Sequence, residues 1–460
     1  MFADIREHIQ VGPFSDATRS SSPESWTVRR LRSILRNVIE PVTQLDVGEF
    51  YIGLQHVEGW TGRYRVDPLA TFEGAAKHFA PTDVIFGKLR PYLAKVAHPG
   101  AYGACSGEFL VLRPVDTAVT PEFLRLLLGS KPVVDMVDGS TYGAKMPRAE
   151  WTFIGNARLA IPPADEQAAI VKYLGHAHAR IDRAIAAKRK LIALLEEQKQ
   201  AIIHQAVTRG LDPNVPLKDS GIPWLGEIPA HWTLEPTRKV LALTKTIVGD
   251  AHPDYTLLSL TLRGVIERDM INPEGKFPSD FSTYQAVEAG QFVFCMFDVD
   301  ETPRTVGLSQ YSGMITGAYR VFDCPRPEWA EFAELYFLAL DRRKALRPLY
   351  TGLRKSIPVG AFLQAKMPFP PDGERDAIVR TVRHEIVASE HLREHTSREI
   401  ELLREFRTRL TSDVVTGQVD VREIAASLPE LTDDMLASTV DDAGDSLEDI
   451  AEEFLEGETD

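Results

Sequence analysis

Basic residues stand beside aromatic ones at several places in this 460-residue chain, and these mixtures are its best candidates for binding chemistry. Arg and Lys side chains bind phosphates and the guanine edge in the major groove, so such clusters are typical of DNA-contacting surfaces. For any single residue a solvated surface charge is the commoner role, and the prediction applies to the groups as sets. The candidate DNA-binding residues are Arg63, Arg65, Lys88, Arg90, Tyr92, Lys145, Arg148, Arg263, Arg268, Arg304, Arg354 and Lys355.

Signals for catalysis are few. The chain has no phosphate-binding GxxxxGK[ST] loop and no GxGxxG motif after a strand, and its three cysteines form no CxxC pair. Asp269, Glu274 and Lys276 loosely fit a nuclease motif, but Pro273 and Gly275 interrupt them as in a turn. The sequence therefore predicts no catalytic residue and no metal site, with a nuclease as a weak alternative.

The elements that position the basic residues occur twice. Residues 161–212 align without a gap on residues 369–420 at a shift of 208, and Trp26 matches Trp232 at a shift of 206. Matched residues at the ends of the aligned segments are Pro162 with Pro370, Pro163 with Pro371, Glu166 with Glu374, Val207 with Val415, Thr208 with Thr416 and Asp212 with Asp420. Because unrelated helices rarely share both ends, the chain is an internal repeat of about 207 residues.

Each aligned segment predicts a long helix. From Asp165 to Thr208 there is no Pro and only one Gly, which gives roughly 66 Å at 1.5 Å per residue. A coiled-coil spacing with polar breaks runs through Ile170, Leu174, Ala177, Ile181, Ala184, Lys188, Leu191, Leu195, Gln198, Ile202 and Gln205. The second copy keeps Ile378, Val382, Leu392, Leu403 and Leu410. Helices of this length need a partner, and we predict that the two copies pack antiparallel as a spacer; a homodimeric coiled coil is the alternative.

The segments before the helices, residues 23–160 and 231–368, diverge in sequence and predict two mixed α/β domains. Each begins with Trp-Thr and a helix-like stretch, which in the first copy is basic, with Arg29, Arg30, Arg32 and Arg36. Strands are expected at 50–54, 84–86, 109–112, 255–260, 292–297 and 319–322, and helices at 121–128 and 329–340. Constant helices joined to variable domains are expected where each domain recognises something different.

The net charge of −14 is concentrated at one end of the chain. Residues 430–460 contain thirteen Asp or Glu and no Lys or Arg, which leaves the rest of the chain at −1. A nearly neutral body can hold the local basic patches that DNA binding needs. The chain has no run of 18 apolar residues and no apolar signal core at its N-terminus, so we expect a cytoplasmic protein.

Three stretches resemble one known family. The helix entry at 161–170 (IPPADEQAAI), the exit at 206–212 (AVTRGLD) and the linker at 218–232 (KDSGIPWLGEIPAHW) are similar to type I restriction-modification specificity subunits. The resemblance extends over residues 23–420. Two features depart from it: Arg375 stands where the first copy has Gln167, and the acidic tail lies outside the family pattern.

The resemblance implies a non-catalytic subunit that reads a bipartite, asymmetric DNA site with two target-recognition domains, the helices acting as a ruler. It also implies that two methyltransferase subunits dock on the helices and bring S-adenosylmethionine. Motor-nuclease subunits that bring ATP and magnesium are a further expected partner, whereas this chain itself is expected to hold no cofactor. A non-catalytic coiled-coil scaffold for protein interactions is the alternative.

The predicted fold is of the α+β class, with two mixed α/β target-recognition domains separated by two long antiparallel coiled-coil helices in a pseudo-twofold repeat. The predicted segments are an N-terminal tail (1–22), target-recognition domain 1 (23–160), long helix 1 (161–210), a linker (211–230), target-recognition domain 2 (231–368), long helix 2 (369–420) and an acidic C-terminal tail (421–460).

Overall fold

The computed structural model describes residues 23–432 except 24, 68–69, 71, 73–74, 116, 142–145 and 270–279. The chain forms two compact units, and each unit combines separate parts of the sequence. Within the described residues, unit 1 contains 23–190 and 396–432, and unit 2 contains 191–395. Each unit therefore holds one globular domain and a part of both long helices. The predicted N-terminal tail and nearly all of the acidic residues after 430 lie outside the described residues.

Unit 1 begins with a domain of ten strands and four short helices. The strands β1 to β10 are Thr27–Arg30, Leu35–Val38, Pro41–Val42, Phe50–Ile52, Ala76–Phe79, Val84–Gly87, Val96–Ala97, Gly103–Ser106, Phe109–Pro114 and Arg158–Ile161. The helices α1 to α4 are Leu31–Ile34, Pro121–Leu128, Lys131–Asp138 and Trp151–Ile154. Two four-stranded sheets have the orders β2-β9-β6-β7 and β3-β5-β8-β4, and β1 pairs separately with β10.

The two four-stranded sheets of unit 1 share one apolar core. Alternate residues of β9, Phe109 and Val111, point into it beside Ile85 of β6, while Ile52 and Phe79 come from the second sheet. All five side chains are fully buried. The predicted strands at 50–54, 84–86 and 109–112 are thus confirmed, and the helix predicted at 121–128 is α2.

The helix-like stretch predicted at the start of the first domain is wrong. Four of its residues form β1, which pairs antiparallel with β10 from Thr27 opposite Ile161 to Arg30 opposite Arg158. Only Leu31–Ile34 is helical, and the chain then enters β2. Pairing with a strand more than 120 residues away overrides the local helical preference of this basic stretch.

The first long helix, α5, spans Ala164–Arg209 and agrees closely with the prediction of Asp165 to Thr208. It enters directly after Pro162 and Pro163, with Asp165 and Glu166 in its first turn, where acidic side chains complement the helix dipole. It ends before Gly210, whose φ of 78° is a left-handed conformation that glycine adopts without strain.

The described part of unit 2 contains twelve strands and two further helices, apart from the two long helices. The strands β11 to β22 are Leu217–Asp219, Glu227–Pro229, Thr233–Pro236, Ala242–Thr244, Leu258–Thr261, Gly264–Glu267, Gln285–Val287, Phe292–Phe294, Val306–Leu308, Gly313–Ile315, Arg320–Asp323 and Lys366–Phe369. The helices α6 and α7 are Ala330–Arg342 and Val359–Gln364. The second long helix, α8, spans Asp372–Val415 and a short helix, α9, spans Arg422–Ser427; both units contain a part of α8, and α9 belongs to unit 1.

The second domain repeats the plan of the first. Its four-stranded sheet has the order β14-β21-β18-β19, which matches β2-β9-β6-β7, and β13 pairs with β22 as β1 pairs with β10. The core is rich in aromatic residues: the ring of Phe294 lies 5.0 Å from that of Phe362 and 5.3 Å from that of Phe337. The topology was therefore retained while the core residues changed, which confirms an internal repeat.

The long helices run antiparallel, as predicted. In unit 1, His178 of α5 contacts Thr411 of α8 at 2.9 Å, and ten residues further along α5, Lys188 contacts Glu399 at 2.7 Å. In unit 2, Ile203, Ala206 and Val207 of α5 share a core with Ile378 and Val382 of α8. The partner of each helix is thus the other helix of the same chain. No helix in the described part of the chain is long and apolar enough to cross a membrane.

The contact seam between the helices departs from the predicted one near their middle. The predicted seam residues Ile170, Leu174 and Ile181 are buried, but Leu191 is 40% exposed and Leu392 is 43% exposed. After Ile181 the buried positions of α5 lie one residue later than predicted, at Ile185 and then at Ile203. A packing period of 3.6 rather than 3.5 residues produces such a shift over a helix of this length.

Candidate nucleic-acid interface

A pair of backbone segments brings three predicted DNA-binding residues of unit 1 together. The Arg90 amide donates to the carbonyl of Pro147 at 2.8 Å, and the Ala149 amide donates to the carbonyl of Lys88 at 2.9 Å. Leu89 and Arg148 form an isolated bridge between the same two segments. The side chains of Lys88, Arg90 and Arg148 therefore start from adjacent backbone. We call segments 88–92 and 147–149 loop pair 1.

The surface beside loop pair 1 is basic and partly aromatic. Arg90 is exposed and Tyr92 is 45% exposed, while Lys88 is half-buried. The guanidinium of Arg148 donates through Nε and Nη2 to the two carboxylate oxygens of Glu108, at 3.1 and 3.2 Å. This arrangement can present guanidinium and ammonium groups to phosphate or base edges.

The other predicted residues of unit 1 lie elsewhere. Arg63 donates to Asp182 of α5 at 2.6 Å, which ties the domain to the helix. Arg65 is exposed near His56, whose carbonyl accepts from the Arg65 amide at 2.8 Å. Lys145 lies outside the described residues. Of this half of the prediction, the structure brings only Lys88, Arg90, Tyr92 and Arg148 to one place.

Unit 2 contains a second pair of segments with corresponding backbone contacts, although its second segment is one residue longer. The Asp298 amide donates to the carbonyl of Arg354 at 2.8 Å, and the Ile357 amide donates to the carbonyl of Met296 at 2.9 Å. Asp298 is the repeat equivalent of Arg90 at a shift of 208, and both are left-handed, with φ of 48° and 50°. We call segments 296–301 and 354–357 loop pair 2. Two different sequences therefore build one local geometry.

The first segment of loop pair 2 is acidic, whereas the corresponding segment of loop pair 1 is basic. Asp298 and Asp300 stand on the segment that is basic in unit 1, and Arg354 and Lys355 stand on the opposite segment. Arg354 pairs with Asp298, and the Lys355 ammonium lies 3.2 Å from Asp300. The hydrogen bond from Arg354 lowers the pKa of Asp298, so the carboxylate stays ionised. Sequence reasoning missed both acidic residues, although the repeat shift of 208 places them opposite residues 90 and 92.

A hairpin of unit 2 carries the remaining predicted residues. Arg263 is exposed in the turn between β15 and β16, and Arg268 follows β16. Arg304 lies beneath the hairpin, where Nη1 donates to the carbonyl of Leu262 and Nε to that of Val306, both at 2.8 Å. Its side chain is only 17% exposed, and burial lowers its pKa. Arg304 therefore braces the hairpin, while Arg263 stands at its tip.

The start of each domain is fastened to a glutamate in the first turn of the long helix that follows it. In unit 1 the indole N–H of Trp26 donates to Glu166 at 2.7 Å, and in unit 2 His231 contacts Glu374 at 2.7 Å. The glycine after each long helix also lies against the first tryptophan of a domain: Gly417 beside Trp26, and Gly210 beside Trp232. These contacts explain why the ends of the helices repeat so closely in sequence.

The exchange of Gln for Arg at the second helix entry has a structural reason. The side chain of Gln167 is fully buried, accepts from the Thr120 amide at 2.9 Å and donates to the carbonyl of Ala118 at 2.7 Å. In unit 2, Arg375 is 4% exposed and its guanidinium lies 4.9 Å from the centre of the Trp329 ring. A cation stacked on tryptophan replaces an amide bound to backbone, so each copy has its own way to join the helix to the domain.

A charged cluster joins three elements of unit 1. Asp182 of α5 accepts a hydrogen bond from Arg63 of the domain and forms an ion pair with Arg407 of α8. His178 lies nearby, and its pKa is lowered well below the usual value by burial and by the positive charges of Arg407, Arg125 and Arg63. His178 is therefore neutral at physiological pH. In the described part of the chain, no three His, Cys, Asp or Glu side chains gather where they could hold a metal ion.

Comparisons with known proteins agree with the resemblance inferred from the sequence. The chain is 22% identical over 226 residues to the specificity subunit of the type I restriction enzyme EcoDI from Escherichia coli, a match that covers 48% of this chain and 46% of that subunit. The match thus spans about half the length of this curated relative. No family model matches the chain.

One solved structure shares the fold. A chain from a structure that describes complex assembly and conformational transition of the type I restriction-modification system matches with a TM-score of 0.62, at 14% identity, over 87% of this chain and all of that one. The HsdS subunit from Thermoanaerobacter tengcongensis matches with a TM-score of 0.46, at 15% identity, over 86% of this chain and 98% of that subunit. The fold predicted from the sequence, two mixed α/β domains with two long antiparallel helices, is confirmed.

Proposed function

We propose that this chain is the non-catalytic DNA-specificity subunit of a type I restriction-modification complex. The observation that carries the proposal is the repeated loop pair: two units of one topology present corresponding backbone contacts with different side chains. A binding scaffold that is conserved while its surface residues change is what two readers of different sequences require. The fold shared with a chain of a type I system supports the same function.

The proposed DNA site is bipartite and asymmetric. We assign residues 23–160 and 231–368 as the two target-recognition domains, each of which reads one half-site. Lys88, Arg90, Tyr92 and Arg148 of loop pair 1 and Arg354 and Lys355 of loop pair 2 are the proposed contacts, together with Arg263 and Arg268. Since loop pair 1 presents Arg90 where loop pair 2 has Asp298, the two half-sites are expected to differ in sequence.

The proposed partners are two methyltransferase subunits that dock on the helices. Within unit 2, the middle parts of α5 and α8 expose apolar side chains: Leu191 (40%), Leu194 (51%), Val387 (51%) and Leu392 (43%). We call these four residues the apolar helix face. Exposed apolar side chains on a helix pair are candidates for a protein interface. The methyltransferase subunits would supply S-adenosylmethionine, and motor-nuclease subunits would supply ATP and magnesium, in the cytoplasm.

A coiled-coil scaffold that binds only protein accounts for less of the structure. It explains the helices and the apolar helix face, but it gives no reason for a loop pair that recurs in each domain with different charged residues. The DNA reader explains both features. A nuclease is not supported, because Glu274 and Lys276 of the loose motif lie outside the described residues and the motif has no counterpart in the first copy.

The proposed function is tested by mapping modified adenines across the genome with and without this chain, in cells that contain an active partner methyltransferase. The expected result is a split sequence motif that is methylated only when the chain is present. A methylome that does not change on deletion of the chain would contradict the proposal.

A further inference from the structure

The guanidinium of Arg354 in loop pair 2 is held in one orientation although it is exposed. Its Nε donates to Oδ2 of Asp298 at 3.2 Å, and Nη2 donates to the same carboxylate. The guanidinium carbon lies 4.9 Å from the centre of the Phe297 ring. The side chain of Arg354 is nevertheless 68% exposed. A carboxylate on one edge and an aromatic ring on one face thus fix a group that solvent still reaches.

A guanidinium that is already fixed in one orientation is prepared to bind a ligand. A free arginine loses rotamer freedom when it binds, and a preorganised one loses less. The edge formed by Nε and Nη2 is occupied by Asp298, and among the described residues Nη1 of Arg354 makes no hydrogen bond. The planar donors on the outer side of the group match the N7 and O6 acceptors that guanine presents in the major groove.

The backbone around this pair supports a binding role. Asp298 and Lys355 both have positive φ, 48° and 43°, a conformation that non-glycine residues rarely adopt. The Asp298 amide donates to the carbonyl of Arg354 itself, so the two strained segments are fastened at the residue whose side chain is fixed. Residues held in such conformations cluster at binding sites, which fits a binding role for this pair.

In unit 1, an arginine of loop pair 1 is also held by a carboxylate. Arg148 donates to Glu108 through the same guanidinium edge, Nε and Nη2, although the carboxylate comes from a different segment. Arg148 and Arg354 stand on equivalent segments, 147–149 and 354–357. Each loop pair thus has an arginine whose guanidinium is held in place by a carboxylate, from a different segment in each copy.

We infer that Arg354 is a specificity-determining residue that reads a guanine in the half-site of unit 2, with Asp298 as its positioning residue. This inference rests on the proposed function, because it requires that the domain bind DNA.

The test uses the complex of this chain with its methyltransferase subunits and DNA duplexes that carry the mapped motif. Each guanine of each half-site is replaced in turn by 7-deazaguanine, which lacks the N7 acceptor, and binding is measured by titration. The variants are Arg354→Lys, which keeps the charge but loses the planar guanidinium, and Asp298→Asn, which removes the negative charge that holds Arg354. Arg347→Lys is the matched control, since Arg347 is 66% exposed and pairs with Asp300 in the same domain.

One guanine of one half-site is expected to be sensitive to the N7 replacement in the wild type, with roughly 10- to 100-fold weaker binding. Arg354→Lys should lose most of the discrimination between guanine and 7-deazaguanine at this position, and Asp298→Asn should lose part of it. Discrimination at the other half-site should stay intact in both variants, which shows that they are folded. Arg347→Lys should behave as the wild type.

Two results would overturn the inference in distinguishable ways. If the wild type discriminates bases in both half-sites and Arg354→Lys retains the full discrimination, the assignment of Arg354 is wrong and the proposed function stands. If the wild-type complex shows no sequence preference at all, the proposed function fails, and the assignment of Arg354 fails with it.

Discussion

Glu166 accepts a hydrogen bond of 2.7 Å from the indole of Trp26, which lies 140 residues earlier in the chain. Both side chains are buried, and Arg422 lies 3.3 Å from the same carboxylate. The contact joins the start of the first domain to the start of α5 and to the segment after α8. At this point in unit 1, three distant parts of the sequence depend on one side chain.

Replacing Glu166 should destabilise the protein. Glu166→Ala leaves the buried indole N–H of Trp26 without its acceptor, and the loss of a hydrogen bond to a charged group costs about 1.5–3 kcal/mol. Guanidinium denaturation of the full chain measures the change in the free energy of unfolding. Glu197→Ala is a matched control in α5, because Glu197 is exposed and has no described partner, and it should change stability by less than about 0.5 kcal/mol. Equal effects of the two variants would refute the importance of this contact.

The two helix entries should not tolerate exchange of their residues. Gln167→Arg would bury a charge where Gln167 now bonds to backbone, and we expect a loss of about 3 kcal/mol or more. Arg375→Gln would remove the cation from the Trp329 ring and should cost about 1–2 kcal/mol. Thermal unfolding compares the two variants. A smaller effect for Gln167→Arg than for Arg375→Gln would contradict the proposed packing.

The neutral state of His178 predicts a pH dependence of stability. Its pKa in the folded protein lies well below the usual value near 6.5, so the folded state binds fewer protons than the unfolded state. The contribution of neutral His178 to the free energy of unfolding is therefore fully present above about pH 6.5. Below that pH it falls by up to about 1.4 kcal/mol per pH unit. His178→Gln, which can still bond to Thr411, should reduce this loss of stability between pH 6.5 and 5. An unchanged pH profile in the variant would exclude His178 as its source.

The apolar helix face should carry part of the binding energy for the methyltransferase subunits. The double variant Leu194→Glu with Leu392→Glu places charges on two exposed apolar positions of unit 2, and association should weaken by at least about tenfold. Calorimetric titration with the methyltransferase subunit measures this change. Ala251→Glu, at an exposed position of unit 2 outside the long helices, serves as the control and should bind normally. Wild-type affinity in the double variant would place the docking surface elsewhere.

The parts of the structure that follow from local sequence were predictable, and those that depend on distant contacts were not. The Pro-Pro entry and the glycine exit bound α5 to within one residue of its observed ends. The basic stretch at 29–36 lacks such markers, and its strand pairing is set by β10, more than 120 residues away. The pairing of Arg354 with Asp298 likewise joins residues 56 positions apart, and no spacing rule connects them.

The candidate site was only partly predictable for the same reason. A list of basic residues cannot separate Arg304, which is bonded to carbonyls beneath a hairpin, from Arg354, which is exposed and held by a carboxylate. Composition identified the charges, whereas the loop pairs that organise them arise from backbone hydrogen bonds between segments about 60 residues apart.

Exchange of residues 231–368 for the corresponding domain of a related protein tests the division of labour between the two domains most directly. The modified adenines in cells that carry the exchanged chain would be mapped across the genome. We predict that one half of the methylated motif changes and that the other half stays the same. A motif that changes in both halves, or in neither, would contradict the account.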